Sequence, residues 1–197
     1  MKRTFDFIVS FVGLILFFPL FLLISFLIKL NGKGPLFFIQ KRIGRSGKPF
    51  LMYKFRTMRN SKSYKEGSFE PGNISRVTSI GKFLRRTKLD ELPQLINVIK
   101  GEMSLVGPRP EVEKWVAIYP ERWTRVLTVK PGITDNSSFF FRNEESLLAE
   151  SDDPERTYKE IILPKKLDLY EDYVTNGSFS GDLKLIFKTV SSIIFNK

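Results

Sequence analysis

From Phe7 to Ile28 the chain carries no charged residue, and the run FIVSFVGLILFFPLFLLISFLI is apolar but for its two serines. At about 1.5 Å per residue, a helix of this length matches a hydrocarbon core about 30 Å thick, so the run is expected to be membrane-embedded. A cleavable signal peptide would have a shorter apolar core and a small-residue cleavage site. Here Lys29, Asn31 and Lys33 follow directly. The flanks then constrain the topology. Lys2 and Arg3 precede the run, and Lys29, Lys33, Lys41, Arg42, Arg45 and Lys48 follow it, with Asp6 the only acidic residue before Glu66. The positive-inside rule puts both flanks on the cytoplasmic side, which a straight span cannot do. Pro19 removes the hydrogen bond to the Ile15 carbonyl, so a bend is expected there. A re-entrant helix broken at Pro19 satisfies both observations; an ordinary kinked span is the alternative.

The charge balance narrows the partners. Thirty-two Lys and Arg against 21 Asp and Glu give a formal charge of +11, which favours lipid headgroups, nucleotides, phosphates or nucleic acid. Cysteine and histidine are absent. This excludes disulfides, thiol catalysis, Ser/His/Asp chemistry and the usual zinc sites, and leaves carboxylates with a hard cation such as Mg²⁺.

Leu84 to Glu111, LRRTKLDELPQLINVIKGEMSLVGPRPE, concentrates such chemistry. Asp90 and Glu91 stand between Arg85, Arg86 and Lys88 on one side and Gly107-Pro108-Arg109-Pro110 on the other. Leu92, Leu95, Ile96 and Ile99 recur at helical spacing, so Asp90 falls where an N-cap would be, with Pro93 in the first turn. A cap alone would be worth about 1 kcal/mol. Cations nearby would instead keep the carboxylates ionised, fit to act as metal ligand, base or nucleophile.

Around this stretch the chain reads as α+β and mainly helical, with residues 1–30 as the membrane helix and 31–197 as a compact cytoplasmic domain. Leu36 to Ile39 and Phe50 to Phe55, punctuated by Gly and Pro, read as a short β-hairpin. Its Lys54 and Arg56 alternate with Tyr53 and Phe55, which points both to one face as candidate phosphate ligands. Asn60 to Ser75 is polar and turn-rich, an expected mobile loop. Ile80, Phe83, Leu84 and Thr87 form a helical face. Trp115, Tyr119 and Trp123, four apart, could stack on a base or sit at headgroup level, but packing is the simpler expectation. Lys130 to Thr134, KPGIT, reads as a turn. Helical periodicity returns over Tyr158 to Val174, interrupted at Pro164, and over Asp182 to Phe195, a helix suited either to lie on a membrane or to cap the core. No recognised nucleic-acid-binding motif is present, so no nucleic-acid partner is expected.

An apolar N-terminal helix with a central proline, QKRIGRSGKPFLMYKFRTM, LRRTKLDELPQLINVIKGEMSLVGPRPE and KPGIT, in that order, resembles the small membrane-anchored bacterial sugar transferases, the monotopic polyprenyl-phosphate phosphoglycosyl transferases. The resemblance implies the re-entrant helix. It implies transfer of a sugar-1-phosphate from a nucleotide diphosphate sugar, usually a UDP sugar, to undecaprenyl phosphate on the cytoplasmic face of the bacterial inner membrane, an early step in glycan assembly. It also assigns Asp90 as nucleophile, Glu91 as its partner in holding Mg²⁺ or handling a proton, and Lys54, Arg85 and Arg109 as phosphate ligands. Two departures stand out. Phe18 occupies the place before the proline where relatives often have serine, and Asp135, Asn136, Ser137 and Ser138 follow KPGIT where many relatives have a glycine and a glutamine-containing segment. Sugar specificity is therefore not assigned. The competing class is a non-catalytic basic membrane module that recruits anionic partners.

If the run re-enters, single cysteines placed near Lys2 and near Lys33 are both shielded from an impermeant maleimide applied outside the inner membrane. Periplasmic labelling of the N-terminal site alone would rule the re-entrant topology out.

Overall fold

The computed structural model describes residues 1–59, 76–141 and 143–195; the loop expected at Asn60 to Ser75 lies outside them. Helices α1 (Lys2–Leu16) and α2 (Phe18–Leu30) precede a hairpin of β1 (Phe37–Ile43) and β2 (Pro49–Phe55), followed by α3 (Ser79–Arg86), α4 (Gln94–Lys100) and β3 (Ser104–Val106). After these come α5 (Glu113–Val116), α6 (Pro120–Val126), β4 (Gly132–Thr134), the short helices α7 (Ser137–Phe140), α8 (Glu144–Ala149) and α9 (Pro154–Thr157), then α10 (Leu163–Asn176) and α11 (Phe179–Phe195).

The break falls where proline dictates. The Phe17 N–H still reaches the Gly13 carbonyl at 2.9 Å, Pro19 offers no N–H, and α2 departs at 61° from α1. Among the described residues no single helix is long and apolar enough to cross a membrane, whereas the bent pair passes by length and composition. Each helix is two-faced. On α1, Asp6 and Ser10 are buried while Ile8, Val12, Ile15 and Leu16 are exposed; on α2, Ile24 and Ile28 are buried while Leu22, Leu23, Phe26 and Leu30 are exposed.

Both ends of the pair are fastened to one body. At the start, Lys2 Nζ donates to the Val106 carbonyl at 3.1 Å and pairs with Asp182, Arg3 donates to the carbonyls of Val98 and Ile99, and Asp6 accepts from Ser104 Oγ at 2.7 Å. At the far end, Arg56 donates to the carbonyls of Ile28, Gly32 and Lys33 at 3.2, 2.8 and 2.9 Å, closing the C-terminus of α2. Ile24, Ile28, Phe55 and Leu84 form the apolar cluster beneath.

The hairpin pairs Phe37 with Phe55 through to Ile43 with Pro49, turning through Ser46 and Gly47 at positive φ. Fully buried Asn97 ties it to α4, its Oδ1 accepting from Tyr53 N–H at 3.1 Å and its Nδ2 donating to the Leu51 carbonyl at 2.7 Å. Two expectations need correction. Lys130 to Thr134 does not simply turn: Gly132–Thr134 is a strand parallel to β3. Pro164 does not interrupt the late helix, because it lies in the first turn of α10, directly after a π-helical turn over Tyr158–Ile162. Trp115 and Trp123 are core residues, packed with Tyr158, Leu167 and Tyr170. The last helix does cover the fold, with Asp182 and Leu185 buried and Thr189 hydroxyl-bonded to Thr134 at 2.8 Å, yet Phe187 is 77% exposed.

β3 and β4 approach so closely that a Cβ on Gly132 would lie 2.1 Å from the Gly107 nitrogen. No side chain can rotate aside to relieve that contact. Gly132→Ala is expected to cost about 3 kcal/mol, the upper end for overpacking, as a lowered denaturant midpoint. A wild-type midpoint would show that the strand pair opens freely.

Candidate active site

The two adjacent carboxylates sit where three separate segments meet. After α3 the chain reverses through Lys88, in the left-handed region at φ 56°, into a single 3₁₀ turn over Leu89–Glu91, and α4 begins only at Gln94, after Pro93. Asp90 is therefore not the N-cap that helical spacing suggests. The turn carries Asp90 and Glu91 inward, each 7% exposed. β2 brings Lys54 from one side. From the other, the segment after β3 brings Arg109, held between Pro108 and Pro110 and fixed to β4 by Gly107 N–H to the Thr134 carbonyl at 3.1 Å and Gly132 N–H to the Pro108 carbonyl at 2.9 Å.

Glu91 binds both cations. Its Oε1 accepts from Lys54 Nζ at 3.0 Å and from Arg109 Nη2, and its Oε2 faces Arg109 Nη1 at 3.4 Å, so the guanidinium lies along both carboxylate oxygens. Burial alone would raise the Glu91 carboxyl, but Arg109 and then Lys54 outweigh it and hold it well below the usual carboxylate range. Burial lowers the Lys54 ammonium, and Arg109 adds to that against the pull of Glu91. Glu91 in turn lifts Arg109 well above its ordinary value.

Asp90 is treated differently. Burial pushes its carboxyl up and Glu91 adds to the rise, while Lys54, Lys88 and Arg85 oppose it. Its Oδ1 is buried with no hydrogen-bond partner among the described residues. One carboxylate is neutralised by two cations; its neighbour keeps a bare, poorly solvated oxygen.

Of the cations expected here, Lys54 and Arg109 meet the pair directly. Arg85 acts on Asp90 through its charge, with its Nε donating to Thr57 Oγ at 3.0 Å. Arg56 is not brought to the pair. Its N–H still bonds the Leu36 carbonyl at 3.0 Å, but its side chain runs to the carbonyls at the end of α2. Asp135 was noted only as a departure from the family pattern. It is buried, accepts from Ser138 N–H and Oγ at 3.1 and 2.7 Å and from Ser137 Oγ, and its charge acts on Arg109. Gln94, one helical turn beyond Asp90, likewise has a buried Nε2 without a partner. Its spacing from Asp90 was the available signal.

No group of three or more Asp, Glu, His or Cys side chains suited to a metal occurs among the described residues. Asp90 offers the open oxygen, whereas Glu91 is committed to Lys54 and Arg109.

A family model described as bacterial sugar transferase matches residues 1–196. The chain belongs to that family. Exopolysaccharide production protein ExoY of Rhizobium meliloti (strain 1021) is 36% identical over 211 residues, covering 100% of this chain and 86% of the relative. UDP-glucose:undecaprenyl-phosphate glucose-1-phosphate transferase of Escherichia coli (strain K12) is 35% identical over 204 residues, covering 100% of this chain and 41% of that protein. Undecaprenyl-phosphate galactose phosphotransferase of Salmonella typhimurium is 35% identical over 209 residues, covering 98% and 40% respectively. The expectation of an enzyme, a polyprenyl-phosphate phosphoglycosyl transferase, is borne out, and the non-catalytic module is displaced.

The two carboxylates should answer differently to neutral substitution. Glu91→Gln leaves Lys54 and Arg109 without their counter-charge and is expected to cost about 3 kcal/mol at pH 7, at the low end for a broken buried pair because Arg109 keeps 28% exposure. Asp90→Asn removes a carboxylate that ionises at a cost and should stay within about 1 kcal/mol of wild type or exceed it. The pH signs are opposite. Glu91, depressed in the fold, contributes above its unfolded value of about 4.3 and loses that contribution as pH falls through the folded value; Asp90, raised in the fold, penalises stability as pH rises through its folded value. Denaturant midpoints across pH 3–8 check both, and equal losses in the two variants would contradict the assignment.

Proposed function

We propose that this chain transfers a sugar-1-phosphate from a nucleotide diphosphate sugar, a UDP sugar, to undecaprenyl phosphate, with Asp90 as a covalent nucleophile. The observation that carries the reading is the bare, desolvated oxygen of Asp90 beside a Glu91 clamped by Lys54 and Arg109. Asp90 Oδ1 attacks the phosphorus that bears the sugar. A P–O bond forms, the bond to the nucleoside monophosphate breaks, and that product leaves with the bonding electrons. A phosphate oxygen of the polyprenyl acceptor then attacks the same phosphorus, the aspartyl P–O bond breaks, and the Asp90 carboxylate returns. Two displacements let a water-soluble donor and a lipid acceptor use one site in turn.

Lys54 and Arg109 supply the cationic field in which phosphoryl charge moves, and their present partner shows how they can change hands. Donor phosphate oxygens compete with Glu91 for both cations, and Arg85 adds its charge from the α3 side. Asp90 and Glu91 are the residues that would hold Mg²⁺, which would neutralise diphosphate charge.

The membrane reading rests on the helix pair. The bare apolar faces of α1 and α2 need an apolar solvent, and both ends are fastened to the same body, so a path that enters and leaves by one face keeps every fastening intact. The basic flanks support a site on the cytoplasmic face of a bacterial inner membrane, and the proposed reaction would serve an early step of exopolysaccharide, capsule or related glycan assembly.

Incubating purified protein with a panel of UDP sugars and no lipid acceptor should release UMP with the correct sugar and leave a phosphosugar adduct visible by intact-mass spectrometry. Asp90→Asn should abolish the adduct and lower turnover by a factor on the order of 10⁴ or more while retaining the fold, and excess EDTA should suppress adduct formation until Mg²⁺ is restored. An adduct on Asp90→Asn, or turnover only with both substrates bound together, would overturn the covalent mechanism.

A further inference from the structure

A second cleft, of about 390 Å³, opens between the first turn of α1, the hairpin turn, β3, residues 128–130 and the start of α11. It shares no lining residue with the carboxylate pair and its cations. Four cations line it, Lys2, Arg3, Arg45 and Lys130, against two carboxylates, Asp6 and Asp182. The carboxylates are already committed. Asp182 pairs with Lys2, and Asp6 is turned inward to Ser104 Oγ and the Leu105 N–H. Arg3 spends its guanidinium on the carbonyls of Val98 and Ile99, which leaves its charge without a counter-ion. Arg45 and Lys130 have no carboxylate partner among the described residues.

These charges are held together by the fold. Ser46, next to Arg45, donates its backbone N–H to the Leu127 carbonyl at 2.7 Å, which ties the hairpin turn to the segment carrying Lys130. Arg3 Nη2 and Lys130 Nζ lie 3.3 and 3.5 Å from the point a Cβ would occupy on Gly101, so the two cations face each other across a glycine. Burial, then Arg3, then Arg45 make the Lys130 ammonium harder to keep charged, with Asp6 opposing them. Like charges gathered in a cleft repel unless an anion joins them, and a guanidinium beside an ammonium suits a phosphate group. The cleft is also well placed: Phe5 meets Phe179 edge-to-face at 5.2 Å beside it, and the exposed apolar face of α1 begins two residues later.

We propose that this cleft binds the phosphate of an anionic phospholipid and seats the start of α1 at headgroup level. The lipid as source of the phosphate rests on the membrane reading; the phosphate site itself does not. The test uses the full chain in an uncharged detergent, titrated separately with dihexanoyl phosphatidylglycerol and with inorganic phosphate, with binding read by calorimetry. Arg45→Gln and Lys130→Gln should each weaken lipid binding about fivefold and together more than tenfold, while Lys41→Gln with Lys165→Gln, exposed cations outside the cleft, leaves it unchanged. Neither cleft side chain makes a bond within the described residues, so unliganded melting temperatures should match wild type and separate a lost site from a lost fold. Equal losses in the control pair, or no binding of either probe, would overturn the site. Inorganic phosphate binding as tightly as the lipid, with the same losses, keeps the site and overturns the lipid as its source.

Discussion

The ion triad of Glu91 with Lys54 and Arg109 is the contact on which the arrangement around the site depends, because each member arrives on a different piece of chain. Lys54 comes from the hairpin, Glu91 from the 3₁₀ turn ahead of α4, and Arg109 from the segment following β3. Removing three charges from water is costly, and only mutual satisfaction offsets the cost. The same triad fixes what Asp90 can do. With both strong cations drawn to Glu91, Asp90 Oδ1 receives the field of Lys54 but no hydrogen bond among the described residues.

Rigid backbone keeps the triad in register. Asn97 bonds the edge of β2 to α4, and the Gly107–Gly132 approach locks the strand pair from which the Arg109 segment emerges. The N-terminal helices join this body instead of hanging from it. Asp6 bonds Ser104 at the start of β3, and Lys2 bonds the Val106 carbonyl at its end, three residues before Arg109. Whatever environment surrounds the apolar faces of α1 and α2 is thereby connected to the strand from whose end the Arg109 segment runs.

The sequence disclosed the parts that depend on residue type and failed on those that depend on backbone geometry. Asp90, Glu91, Lys54 and Arg109 stood out because buried carboxylates and cations have few uses in a chain without histidine or cysteine. The break at Pro19 followed from a missing N–H. Alternation does not show that the Arg56 side chain is drawn to the carbonyls that close α2, because those partners lie far off in sequence. Asp90 looked like a cap because nothing about a lysine at position 88 announces a positive φ. Gly132–Thr134 was taken for a turn because three residues after a proline carry no period, and their pairing is supplied by Ser104–Val106, far off in sequence. The buried Asp135 was invisible as a neighbour of Arg109 for the same reason.

Asp90 also explains why a structure would keep an unsatisfied polar atom. A buried oxygen without a donor costs roughly 1–3 kcal/mol, and a hydrogen bond from any neighbouring group would relieve that cost. The fold instead sets the Arg109 guanidinium on Glu91, one residue along, and leaves Asp90 Oδ1 without a donor among the described residues. Two consecutive carboxylates with opposite environments let one stabilise the site while the other stays reactive. That division follows from the 3₁₀ turn, which presents neighbouring side chains to different partners.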